Sequence, residues 1–357
     1  MQTVPFYNAE KTYYQNFEEG PFGIFADTDV YDDSLPNVTV TPGLSVKTPF
    51  GVPAGPLLNG AYVKAALDKG FDLPIYKTVR TNTHSCHKYP NVLPIDVEGD
   101  LTLEKADAGL ITKDSYSAPL SITNSFGVPS YTPDVWQPDL AEAVLHAKEG
   151  QLVGASFQGT KWGEATLVEY IGDWVTAAKL VAETKAPFLE ANLSCPNEGT
   201  TALLCYDVER VATISRAIKD AIGDVPLFLK ISYFKDPAEL ERLIMEVGDA
   251  VDGYATINTI SAEVRDTQGN QALPGEGRLR SGVCGHGIKW AGLDMVKKLV
   301  SLREAKNQKY SIVGVGGVMN PDDYQEYITA GADIVMSATG AMWNPNLAID
   351  IKNSLNT

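Results

Sequence analysis

Short apolar runs recur along this chain at 51–56, 73–79, 152–157, 188–193, 227–231, 253–259, 311–315 and 333–337. Most are continuously apolar rather than alternating, as parallel strands covered on both faces are. Parallel neighbours need crossovers long enough for a helix, and 61–69, 165–184, 208–222, 237–248, 292–303 and 322–330 carry helical periodicity. At the last of these, Asn320 suits the N-cap and Pro321 the first turn, while Asp322 and Asp323 complement the helix dipole. Eight such units predict an α/β fold of the (β/α)8 TIM-barrel type, with an open doubly wound sheet as the alternative. The barrel is favoured by where the unusual residues fall. Asn59, Lys77, Gln158, Asn192, Lys230, Asn258, Gly316 with Gly317, and Ala338 with Thr339 all stand at or just after strand ends. In a barrel those ends converge on one mouth.

Residues 1–45 are polar and aromatic and read as an N-terminal extension; 46–357 read as one barrel domain. The rhythm breaks between Lys77 and Leu152, a stretch rich in Pro, Asn, Ser and Tyr and too long for a plain connection. It predicts an insertion at about 86–120, in which 101–121 forms a hairpin or lid over the mouth, or else a surface excursion without a role.

A formal net charge of −16 disfavours nucleic acid and anionic membranes as partners. An acidic protein that binds an anion must concentrate positive charge locally, which makes single lysines inside apolar strands interesting. No apolar run approaches the roughly 20 residues of a membrane helix. The four cysteines, Cys86, Cys195, Cys205 and Cys284, lack paired spacing, and no signal peptide is evident, so a reduced cytoplasmic setting is expected.

The densest chemistry is Asn192-Leu193-Ser194-Cys195-Pro196-Asn197, two carboxamides and a thiol just past a strand end. A carboxamide offers donor and acceptor side by side, and a thiol can take a proton, so the segment suits a planar ligand with C=O and N–H groups. Asn124 and Asn258 add two more carboxamides beside apolar strands, where asparagine is disfavoured without a hydrogen-bond reason. Lys77 and Lys230 each end an apolar strand, so each snorkels out or faces an anion; a Schiff-base role for Lys230 is open. Gly316 with Gly317 and Ala338 with Thr339 follow the last two strands, where backbone N–H groups bind phosphate unless these are simply tight turns. A third glycine-bearing turn, Arg280-Ser281-Gly282-Val283-Cys284-Gly285, could add donors. His84-Ser85-Cys86-His87 offers too few ligands for a metal site and reads as a polar loop. No metal is expected.

From about Val46 to Trp343 the chain resembles the dihydroorotate dehydrogenases, FMN-dependent enzymes of pyrimidine synthesis, and most closely the soluble class 1A. Asn192–Asn197 matches that family's most specific segment, Asn124-Ser125-Phe126-Gly127-Val128-Pro129 resembles its Asn-Ser-x-Gly-x-Pro element, and Ile257-Asn258-Thr259 and the two glycine turns follow in order. The resemblance implies that Asn124, Asn192, Asn197 and Asn258 hold the pyrimidine ring, with Gly127, Thr259 and Lys77 nearby, and that Cys195 is the catalytic base. It places FMN against Ala54, Gly55, Lys77, Thr78, Asn124, Asn192, Lys230, Ile257, Ser281, Gly282, Gly316, Gly317, Ala338 and Thr339. Asn197 favours dihydroorotate over dihydrouracil. The first strand reads Pro53-Ala54-Gly55-Pro56 where the family usually has Ala-Ser-Gly, and the usual Gly-Asn-Pro-x-Pro-Arg after Lys77 is missing. The implied reaction is oxidation of dihydroorotate to orotate, with fumarate favoured as second acceptor, NAD reachable only through a partner subunit, and a homodimer as the assembly. A related dihydropyrimidine oxidoreductase and a flavin-free aldolase or isomerase barrel are the alternatives.

Overall fold

Each apolar run yields a strand of one parallel sheet: β1 (Phe50–Gly51), β2 (Ile75–Val79), β3 (Gly154–Phe157), β4 (Leu189–Asn192), β5 (Leu227–Lys230), β6 (Gly253–Thr256), β7 (Ser311–Val315) and β8 (Ile334–Met336). They are seen in a computed structural model that describes residues 5–32, 34–194 and 203–355. Neighbours pair in chain order from β2 to β8, and β8 pairs back onto β1. Between β1 and β2 the ring is completed by backbone bonds, Ile75 N–H to Val52 O at 2.9 Å and Lys77 N–H to Leu57 O at 3.0 Å. The chain is therefore a (β/α)8 barrel and not an open sheet.

The strands are buried along almost their whole length, since helices cover the outside and side chains fill the inside. Inside, Ile75, Phe188, Phe228, Ala255, Val313 and Met336 form one cluster. A Cβ at Gly154 would lie 2.3 Å from the Phe188 ring and one at Gly253 2.3 Å from Phe228, so these glycines make room for the two phenylalanines. A hairpin, Val38–Thr41 with Leu44–Val46, closes the end where the strands begin. Its Val40 and Leu44 join the interior cluster, and Ser311 Oγ donates to Val40 O at 2.9 Å. Helix starts follow local chemistry: Thr166 and Glu169 form a capping box, and Asn320 accepts from Asp323 N–H at 3.0 Å ahead of Pro321–Thr329. Among the described residues no helix is long and apolar enough to cross a membrane.

Several expectations change. The runs 51–56 and 253–259 are strand only at Phe50–Gly51 and Gly253–Thr256; prolines 53 and 56 lack the N–H that a ladder needs. The 101–121 stretch is not a hairpin but a helix, Leu103–Ala108, and a short strand, Leu110–Ile111. The glycine-bearing "turn" at 280–285 is a strand, Arg280–Gly285. The strands Leu110–Ile111 and Arg280–Gly285 join Val92–Pro94, Ser121–Asn124 and Ile260–Arg265 in a separate five-stranded sheet. Its order is 92–94, 121–124, 280–285, 260–265, 110–111, antiparallel except for the last pair. A further helix, Pro133–His146, lies beyond the predicted 86–120 insertion, in the crossover from β2 to β3.

The N-terminal segment packs onto the barrel through buried Phe6, Tyr7, Tyr13 and Phe25. Phe6 N–H donates to Met342 O at 3.1 Å, and Asn59 Nδ2 to Phe17 O at 2.7 Å.

The C-terminal helix, Leu347–Leu355, is pinned where the ring closes. Lys352 Nζ lies 2.9 Å from Asp72 Oδ2, and both side chains are buried. Asp72 also accepts from Thr48 N–H at 2.9 Å and Gln151 Nε2 at 3.3 Å. Removing the ammonium strands a buried carboxylate, so Lys352→Met should lower unfolding free energy by about 3–5 kcal/mol in a denaturant titration. Unchanged stability would mean that the pair does not hold this seam.

Candidate active site

The five-stranded sheet lies across the mouth where the barrel strands end, and between the two is a cavity of about 810 Å³. Barrel strand ends supply Lys77, Thr78, Glu190, Asn192, Lys230 and Ala255 to its wall. The upper sheet supplies Ile122, Asn124, Ile260, Ser281, Gly282 and Cys284 from the opposite side. Asn124 faces Gly282 in the antiparallel register, which fixes its height above the mouth.

Of the sequence-predicted residues, the cavity brings together Gly55, Lys77, Thr78, Asn124, Gly127, Asn192, Lys230, Ile257, Asn258, Thr259, Ser281, Gly282, Ala338 and Thr339. Ala54, Gly316 and Gly317 are not among its lining residues. Ala54 belongs to the barrel interior. A Cβ on Gly317 would lie 2.6 Å from that of Lys289, and Gly316 O accepts from Tyr327 Oη at 2.7 Å. Cys195 and Asn197 lie outside the described residues.

The carboxamides are held by one serine. Ser194 Oγ donates to Asn192 Oδ1 at 3.2 Å and accepts from Asn258 Nδ2 at 2.8 Å. Asn192 Nδ2 approaches Gln158 Oε1 at 3.4 Å. Above them, Asn124 Nδ2 donates to Cys284 Sγ at 3.3 Å, as does Thr339 Oγ1 at 3.4 Å.

Glu190 is a residue that sequence reasoning missed. Its side chain is 1% exposed, lies 3.7 Å from Lys230 Nζ, and leaves Oε1 without a hydrogen-bond partner among the described residues. The signal was present: a lone carboxylate two residues before Asn192, hence on the same face of β4. Lys77 Nζ donates to Gly55 O at 3.0 Å and lies 5.5 Å from the centre of the Phe126 ring.

Arg278 was also missed. This guanidinium is 5% exposed and clamps the loop after Asn124. Nη2 donates to Ser125 O at 2.8 Å and Nε to Ser125 Oγ at 3.3 Å. Its other bonds go to the carbonyls of Lys88, Pro90 and Pro274. All of these acceptors are neutral, so Arg278 adds positive potential at that end of the cavity.

The His84–His87 segment borders the same end. Burial, then the Arg80 charge and His87, push His84 down to about 4. Burial and then Arg278 lower His87, whose Nδ1 lies 3.0 Å from Ser125 Oγ. Both histidines are neutral at pH 7. A depressed native pKa gives stability that is present above the unfolded value of about 6.5 and is lost as pH falls through the native value. Melting temperature should therefore fall between about pH 6.5 and pH 4, and His84→Phe should flatten that fall. An identical profile in the variant would remove His84 from the account.

A family model described as dihydroorotate dehydrogenase matches residues 114–357. A dihydroorotate dehydrogenase of Dictyostelium discoideum is 35% identical, over 98% of this chain and 97% of its own. The dihydroorotate dehydrogenase B (NAD(+)) catalytic subunit of Brachyspira hyodysenteriae is 29% identical over 52% of this chain and 59% of its own. Dihydroorotate dehydrogenase A (fumarate) of Lactiplantibacillus plantarum is 29% identical over 57% of this chain and 59% of its own. With the family model covering most of the barrel and a relative aligned nearly end to end, the chain belongs to the dihydroorotate dehydrogenase family of oxidoreductases.

Proposed function

We propose that this protein oxidises dihydroorotate to orotate in pyrimidine synthesis with FMN as hydride acceptor. The observation that carries the reading is the convergence of Asn124, Asn192 and Asn258 with Lys77 and Lys230 on one cavity, from two separate sheets.

The cavity fits such a cofactor beside a small ring. At about 810 Å³ it lies in the upper range for small-molecule sites. Glu190 Oε1, 3.7 Å from Lys230 Nζ and without a hydrogen-bond partner among the described residues, offers an acceptor to a ligand N–H. Gly282 has no room for a side chain, since a Cβ would lie 2.6 Å from Thr259 Oγ1. FMN held by Gly55, Thr78, Lys230, Ile257, Ser281, Gly282, Ala338 and Thr339 would supply a two-electron acceptor for the hydride leaving C6. Ala54, Gly316 and Gly317 would support that binding from the strand ends.

The chain's own residues do the rest. Ser194 locks the Asn192 and Asn258 carboxamides, so both present fixed edges to the pyrimidine, with Asn197 completing the set. Lys230, 3.7 Å from Glu190 at the cavity wall, would offset negative charge on the reduced cofactor. Cys195 takes the C5 proton. The other thiols are poor bases: burial pushes Cys86 up to about 11 and Cys205 to about 12, and raises Cys284. For the second acceptor we favour fumarate, which one relative's name carries. NAD would require a partner subunit. A cytoplasmic homodimer is the setting we propose, with 46–357 as the catalytic domain.

Cys195→Ala should keep bound flavin yet slow its anaerobic reduction by dihydroorotate by a factor on the order of 10² to 10⁴ in stopped flow. In the wild type the reduction rate should rise with pH towards a thiol pKa, about 8.5 when unperturbed. Reduction of the variant at wild-type speed would exclude Cys195 as the base.

A further inference from the structure

Asn124 ends the strand Ser121–Asn124, with Val92 opposite it on one side and Gly282 on the other. Neither neighbour offers a side-chain hydrogen bond. A Cβ at Gly282 would lie 2.6 Å from Thr259 Oγ1, so no side chain fits there. The side chain that does reach Asn124 comes from the diagonal position. Cys284 is paired with Ile122, two residues before Asn124, and so shares its face of the ladder. Asn124 Nδ2 donates to the Cys284 sulfur at 3.3 Å, the only side-chain hydrogen bond of that carboxamide among the described residues.

The same sulfur accepts from Thr339 Oγ1 at 3.4 Å. Thr339 opens the short helix Thr339–Trp343 after β8, so one sulfur joins the upper sheet to the barrel. Burial raises Cys284 above the ordinary thiol range, so it stays a neutral thiol and offers both donors its lone pairs. All three residues line the cavity. On the barrel side Ser194 stands between Asn192 and Asn258 in the same way. Asn124, Asn192 and Asn258 are thus each tied by a small polar side chain. An untied carboxamide can turn over about its last torsion and exchange donor for acceptor. With Nδ2 held on sulfur, Asn124 Oδ1, which accepts no hydrogen bond among the described residues, is the end left for a ligand N–H.

We infer that Cys284 is a positioning residue, whose sulfur holds the Asn124 carboxamide with its oxygen turned to a ring N–H of dihydroorotate and orotate. It acts through Asn124 and takes no proton itself. The inference rests on the proposed reaction.

The test is a double-mutant cycle on flavin-loaded protein, titrating orotate and following the flavin absorption shift. It uses wild type, Cys284→Ala, Cys284→Ser, Asn124→Ala and the Cys284→Ala, Asn124→Ala double variant, with FMN affinity measured alongside. Cys284→Ala should weaken orotate about 3- to 10-fold, the loss of one neutral hydrogen bond. Cys284→Ser keeps an acceptor at that place and should bind orotate within about 2-fold of wild type. In the Asn124→Ala background the loss of the sulfur should cost nothing further, because its effect passes through the carboxamide. FMN affinity should be unchanged in both single Cys284 variants. Wild-type affinity in Cys284→Ala, a serine variant as weak as the alanine one, an equal loss in the Asn124→Ala background, or FMN binding weakened as much as orotate binding would each overturn the assignment. Failure of the wild type to bind orotate at all would instead remove the proposed function.

Discussion

The antiparallel ladder between Ser121–Asn124 and Arg280–Gly285 is the constraint on which the site depends. A barrel mouth alone is an open dish ringed by strand ends. This ladder crosses it and sets Asn124, Ser281, Gly282 and Cys284 opposite Lys77, Asn192, Lys230 and Asn258. Because side chains alternate along a strand, a one-residue slip would turn Asn124 away from the cavity. The ladder is in turn fixed from outside by Arg278, which ties Ser125 to the 88–90 and 274 segments. Residues separated by more than 150 positions thus define one wall.

Charge is distributed with the same economy. The chain carries a formal −16, yet its cavity holds two lysines at barrel strand ends and has an arginine just behind the Asn124 loop. Glu190 lies 3.7 Å from Lys230, and Lys77 and the field of Arg278 lie near Phe126 beside the neutral His87. An acidic chain thus concentrates positive charge around one cavity. A shallow surface cleft of the same composition would screen that charge within a Debye length of about 8–10 Å.

The barrel was legible because strands buried on both faces write themselves as unbroken apolar runs, and because Lys77, Asn192 and Lys230 are conspicuous in such runs. The upper sheet was not. Its strands are two to six residues long, and Arg280–Gly285, with two glycines, looks like a turn until its partners are known. The alternation of Ile260–Arg265 was the available clue. Pro138 lies inside the helix Pro133–His146 and weakens its periodicity. Arg278 carries no local signal at all, since its contacts are with Ser125, more than 100 residues away. Asn192 and Ser194 stand where the sequence put them, at the end of β4, with Cys195 and Asn197 following beyond the described residues.

The most direct measurement is an anaerobic titration of the purified, flavin-loaded protein with dihydroorotate, following flavin absorbance together with orotate formation. The account predicts full bleaching of the flavin with one orotate formed per flavin reduced, and recovery of the colour on adding a competent acceptor. A flavin that stays oxidised in excess dihydroorotate, or a protein that takes up no FMN, would contradict it.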